Sequence, residues 1–180
     1  MTEQSQSTTL EQETETNDNS VSTVRAYEEG LIRPDKVFQV GLRGTGYAAT
    51  DFTEAPGGGF RIFQAHEGWG KPLDSLGAEI RAEIGDLPVY ITYDIDSLDP
   101  AFAPGTGTVE VGGLTTVQGL EIIRGCAGLN LVGGDLVEVS PPYDSGGNTA
   151  VIAANYLYEM LCALPGVPQT RGNVKPQIDF

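Results

Sequence analysis

The sequence predicts an α/β fold built on a parallel sheet, and three observations carry that prediction. Short runs rich in β-branched and aromatic residues, VFQVGL (37–42), PVYITYDI (88–95) and LVGGDLVEV (131–139), read as buried strands. They alternate with segments whose apolar residues recur three and four apart, and the order strand, helix, strand, helix, strand, helix favours right-handed parallel crossovers. With 180 residues, 39% of them hydrophobic, the chain is long enough for one modest core.

Taken in order, residues 1–20 (MTEQSQSTTLEQETETNDNS) hold only Met1 and Leu10 as apolar side chains, with five acids and no base, and are expected to form a disordered acidic tail. The folded unit is expected over 21–165 and a loose extension over 166–180. VSTVRAYEEG places Val21, Val24 and Tyr27 on one side of a short helix stopped at Gly30. After the first strand comes a glycine-rich stretch running through Trp69. Leu73, Leu76, Ile80 and Ile84 then mark an amphipathic helix ended by Gly85. SLDPAFAPGTGTVEVGG is too rich in Pro and Gly for regular structure and reads as a shaped loop. Thr115 and Gln118 have the spacing of a capping box, in which each side chain bonds the other's backbone amide, for a helix carrying Val117, Leu120 and Ile123. The last helix, about 148–164, is apolar on nearly all sides and is expected to be buried.

Charge and motif content exclude several function classes. Twenty-five acids against ten bases give −15, and removing the tail still leaves about −10, which repels a phosphate backbone. Nucleic acid is not an expected partner. No apolar run approaches the ~20 residues of a membrane span, and the N-terminus has no signal-peptide pattern, so a soluble, cytoplasmic protein without membrane contact is expected. Cys126 and Cys162 lack CxxC spacing and read as reduced core residues. His66 is the single histidine, which gives no support to a His-rich zinc site or a Ser-His-Asp triad and reads as a structural or surface residue. The glycines of GLRGTG and GTGT match no phosphate-binding loop.

What remains is a set of acids at strand ends, where ligands gather in open α/β sheets. Asp94 and Asp96 close the second strand two residues apart, which on an extended strand places both carboxylates on one side. Glu138 closes the third strand in the equivalent position, with Asp99 and Asp144 in the loops beyond. At ~5 Å and an effective dielectric of ~20, each like-charged pair repels by roughly 3 kcal/mol. Protons, arginine partners or a hard divalent cation such as Mn²⁺ or Mg²⁺ would relieve that repulsion.

These residues carry a resemblance. YDIDSLDPAFAPGTGTVEVGGLT resembles the signature of the ureohydrolases, the arginase and agmatinase superfamily, and GGDLVEVSPPYDSGGNTAVIAANYLYEMLCAL resembles that family's closing segment. RAYEEGLIRPDKVFQVGLRG is similar to the stretch preceding them, so the likeness runs from about Val24 to Pro165, and SPPYD lies closer to the agmatinase and guanidinobutyrase branch. The resemblance implies a partial three-layer α/β/α arginase-like fold without its N-terminal strands. It implies a binuclear Mn²⁺ centre that hydrolyses a small guanidino substrate to urea and an amine. Within it, Asp94 and Asp96 match two metal ligands and Glu138 matches the glutamate that receives the guanidinium, a planar fork suited to paired hydrogen bonds from a carboxylate. Asp99, Pro100 and the GTGT segment are implied to shape the loop. The family's two earlier motifs, which supply histidine and further aspartate ligands, have no match in this sequence. The expected protein is therefore the C-terminal half of an agmatinase-like amidinohydrolase, completed by another chain or in a homo-oligomer. The alternative is a noncatalytic or regulatory subunit, or an inactive fragment, associated with a full-length homologue.

Overall fold

The computed structural model describes residues 25–45 and 59–167. The predicted tail (1–20), most of the C-terminal extension and residues 46–58 of the glycine-rich stretch lie outside the described residues. Residues 25–28 are helical, within the first predicted helix. The regular elements are β1 (Phe38–Leu42), β2 (Arg61–Gln64), α1 (Asp74–Ile84), β3 (Pro88–Asp94), α2 (Thr116–Gly125), β4 (Asn130–Val137) and α3 (Asn148–Ala163).

Strands form as two parallel pairs. β1 pairs with β2 from Phe38↔Arg61 to Leu42↔Gln64, and β3 pairs with β4 from Pro88↔Asn130 to Asp94↔Val137. Each ladder slips once, between Val40 and Leu42 in the first pair and between Val89 and Tyr90 in the second. The second slip leaves Val132 without a partner in the register and 63% exposed. β2 is a strand absent from the sequence expectation, because RIFQ is only four residues long and follows a glycine cluster.

Helical order beside the sheet is set by small residues and capping. Thr115 accepts from the Gln118 backbone amide while the Gln118 side chain accepts from the Thr115 amide, the reciprocal cap predicted for α2. Gly119 faces the phenols of Tyr93 and Tyr156, where a Cβ would stand 2.5 and 2.4 Å from the two hydroxyl oxygens. That gap lets α2 close on β3 and α3, and the two tyrosines meet edge to face at 4.9 Å. Tyr156 also donates to the Thr116 carbonyl at 2.8 Å. The principal core gathers Tyr93, Ile95, Leu98, Leu114, Ile123, Tyr156 and Met160, and a second cluster holds Ile84, Leu129, Leu131 and Ala163. α3 departs from expectation: it buries Thr149, Ala153, Tyr156, Met160 and Ala163, while Val151, Leu157, Tyr158 and Leu161 stay exposed. A stripe at spacings of three and four covers only one face, and no described element covers the other. Cys126 and Cys162 are both partly buried, and burial raises the Cys126 thiol above its ordinary range.

Candidate functional site

The C-terminal ends of β3 and β4 bring the predicted acids together. β3 stops at Asp94, and a 3₁₀ turn, Ile95–Ser97, follows at once. Asp94 Oδ1 accepts from the Asp96 backbone amide at 3.1 Å, so the two acids meet through a tight turn and not, as the sequence reading expected, through strand alternation. Burial pushes the Asp94 carboxyl up to about 7, and the neighbouring Asp96 and Glu138 push in the same direction. Glu138 stands just past β4 at φ 66°, the one non-glycine residue with positive φ among the described residues. A left-handed backbone there costs about 1–2 kcal/mol for a side chain with a Cβ, strain of the kind concentrated at functional positions.

Two groups outside the predicted set position Asp96. Thr108, in the GTGT segment, donates its hydroxyl to Asp96 Oδ2 at 2.5 Å. Arg43, one residue past β1, donates Nη2 to the carbonyls of Asp96 and Glu110, both at 2.7 Å, and to that of Leu98 at 3.2 Å. Its guanidinium therefore pins the 3₁₀ turn to the long loop. The signal in sequence was a basic residue immediately after a buried strand, hidden inside a glycine motif that invited comparison with phosphate loops. Arg43 also borders a cavity of about 330 Å³ with Gln64, His66, Trp69 and Gly112. His66 is exposed there, edge-on to Trp69 at 6.3 Å.

The remaining acids are structural. Asp99 accepts from the amides of Ala101 (2.9 Å), Gly112 (2.8 Å) and Gly113 (3.2 Å), and those bonds, with that from Ala101 foremost, hold its carboxyl below the usual range. Gly113 must be glycine, since a Cβ would meet the Asp99 amide nitrogen at 2.5 Å. Asp144 accepts from Ala150 (2.9 Å) and Thr149 (3.1 Å) at the start of α3, and those amides hold its carboxyl low as well. Both loops around the site are thus closed by aspartates whose oxygens are already engaged.

Asp94, Asp96 and Glu138 fit a hard divalent cation in kind: they are half-buried oxygen donors, with no lysine or arginine ion-paired to Asp96 or Glu138 among the described residues. They do not fit it in number. Among the described residues no group of three or more His, Cys, Asp or Glu side chains is disposed to hold a metal ion. Six or more oxygens surround such ions, so further donors are required.

Comparison with known proteins adds the following. The family model described as "Arginase family" matches residues 6–162, beginning inside the predicted tail. A guanidinobutyrase of Pseudomonas aeruginosa is 61% identical over 143 residues, 79% of this chain and 45% of that protein. The mitochondrial agmatinase of Gallus gallus is 57% identical over the same share of this chain and 42% of its own length. A crystal structure described as a hypothetical agmatinase from Burkholderia thailandensis superposes with a TM-score of 0.69 at 40% identity, over 78% of this chain and 42% of that one. The chain spans less than half the length of these relatives.

Proposed function

Because the chain belongs to the arginase family, we propose that it supplies part of the active site of an amidinohydrolase that cleaves a guanidino compound to urea and an amine. The observation that carries this reading is the closeness of Asp94 to Asp96 at the end of β3, with Glu138 just past the paired strand β4 and near enough to push the Asp94 carboxyl up. In the reaction a water oxygen bonds to the guanidino carbon, the bond from that carbon to the substituted nitrogen breaks, and the leaving amine takes up the proton. Glu138 orients the substrate: its carboxylate accepts paired hydrogen bonds from the planar guanidinium, and its constrained backbone fixes their direction. Asp94 and Asp96 would hold Mn²⁺, with Thr108 fixing one Asp96 oxygen and Arg43 fixing the turn beneath it. When bound, such an ion supplies water that is nucleophilic at neutral pH.

The deciding experiment combines this chain with Mn²⁺ and, separately, 4-guanidinobutyrate or agmatine. Each mixture is assayed for urea with and without the portion of the Pseudomonas guanidinobutyrase that lies outside the match. Urea is expected only with that portion present, and Glu138→Gln or Asp96→Asn removes it. No urea in any combination overturns the reading and leaves a noncatalytic subunit, which the small donor set of this chain favours.

A further inference from the structure

The backbone just past Asp94 is bonded from two directions. Leu114 takes one of them: its amide donates to the Ser97 carbonyl and its carbonyl accepts from the Asp99 amide, both at 2.9 Å. Arg43 takes the other, and there a single nitrogen, Nη2, donates to the carbonyls on either side of Ser97, at 2.7 Å to Asp96 and 3.2 Å to Leu98. The same Nη2 donates to the Glu110 carbonyl at 2.7 Å, and Nη1 to that of Gly41 at 3.4 Å. All four acceptors are backbone carbonyls, and among the described residues Arg43 forms no ion pair. Its Nε is buried with no acceptor among the described residues. The guanidinium is therefore used for its shape, a flat end whose N–H groups reach three separate stretches of chain.

We propose that Arg43 is a positioning residue for the acids: by fixing the carbonyls of Asp96 and Leu98 it sets where the Asp96 carboxylate stands relative to that of Asp94, and through that spacing the affinity of the pair for a divalent cation. The cation part rests on the function proposed above. Thr108 holds the other end of the same residue, at Asp96 Oδ2, so backbone and carboxylate are fixed by separate groups. Lysine cannot take over from Arg43. Its Nζ falls at the place of the arginine Cζ, one bond short of Nη2, and one nitrogen does not offer a planar fork of donors. Lysine also has no counterpart of the unmet Nε–H, and an unmet buried donor is costly. Arg43→Lys therefore loosens the turn without a matching loss of global stability, which separates position from fold.

Two readouts on the full chain test this without reliance on catalysis. In metal-free hydrogen exchange, the bonded amides of Asp96, Leu98 and Asp99 are expected to exchange about tenfold faster in Arg43→Lys than in the parent, with the amides of α3 unchanged. In a Mn²⁺ titration followed by the paramagnetic resonance of the free ion, the dissociation constant is expected to rise about tenfold in the same variant. Arg43→Ala adds a rescue arm, because the side chain borders the cavity of about 330 Å³ and its removal opens a way in. Millimolar guanidinium chloride is expected to restore the Mn²⁺ affinity of that variant, and ammonium chloride is not; if Arg43→Ala does not fold, the lysine variant decides. Parental protection of the turn in Arg43→Lys overturns the proposal, as does an equal loss of protection across α3, a parental Mn²⁺ affinity, or rescue by ammonium as good as by guanidinium. A parent chain that binds no Mn²⁺ refutes the cation in the proposed function, and the turn amides then decide for Arg43 alone.

Discussion

Glu138 and Asp94 each carry a cost that the fold tolerates, a positive φ at the first and the burial of a carboxyl at the second. At φ 66° glycine is relaxed and alanine is as strained as glutamate, so Glu138→Gly should be more stable than Glu138→Ala by about 1 kcal/mol, read from chemical denaturation. Equal stabilities, or a stabler alanine variant, would show that this backbone is not strained. Asp94 acts through protons. Its carboxyl titrates near 7 in the folded chain and at the ordinary 3.8 when unfolded, so between those values the folded state holds the extra proton. Stability of the metal-free chain must then fall as pH rises through that window. Asp94→Asn removes the dependence, giving a variant that melts above the parent near pH 8 and converges with it toward pH 4, measured in chelator. Asp99 and Asp144, whose carboxyls are held low, contribute stability that is lost only below their ordinary value of 3.8, outside that window.

The fit of α2 against α3 and β3 sets two effects in opposition at Gly119. Alanine in a helix interior ordinarily gains about 1 kcal/mol over glycine. Here its Cβ would enter the space of two tyrosine hydroxyls within a buried edge-to-face pair, and overpacking costs about 1–3 kcal/mol. Gly119→Ala should therefore be destabilising by about 1–2 kcal/mol in urea unfolding, and a gain in stability would mean that α2 shifts freely. Much at this scale was legible beforehand. Three strands and three helices followed from apolar spacing, and the α2 start followed from Thr115 and Gln118, because such signals are local. β2 was missed because four residues carry too little pattern, and the bare outer face of α3 because covering surface is a tertiary property. Asp94 and Asp96 do lie close together, but not through alternation along a strand, which ends at Asp94; the 3₁₀ turn that joins them is held by Arg43, fifty-three residues from Asp96 in sequence.

Two electrostatic effects act on the whole molecule, and they can be separated. At −15 the chain repels itself, and screening that repulsion should raise the melting temperature as NaCl is added, since at 0.1 M the screening length is about 10 Å. Mn²⁺ at matched ionic strength provides the same screening, and any excess stabilisation reports binding to the folded state. At a concentration tenfold above its dissociation constant, a ligand stabilises by about 1.4 kcal/mol, a rise of several degrees for a domain of this size. Asp96 is the informative position for attributing that excess, because Thr108 fixes one of its oxygens at the surface of the turn and the residue lies outside the main cores. We therefore expect Mn²⁺ to raise the melting temperature above the NaCl control in the parent chain and only to the control in Asp96→Asn, with both proteins responding equally to NaCl. If the parent gains nothing over NaCl, or if the variant keeps the full excess, the acids at the β3 end do not collect the cation.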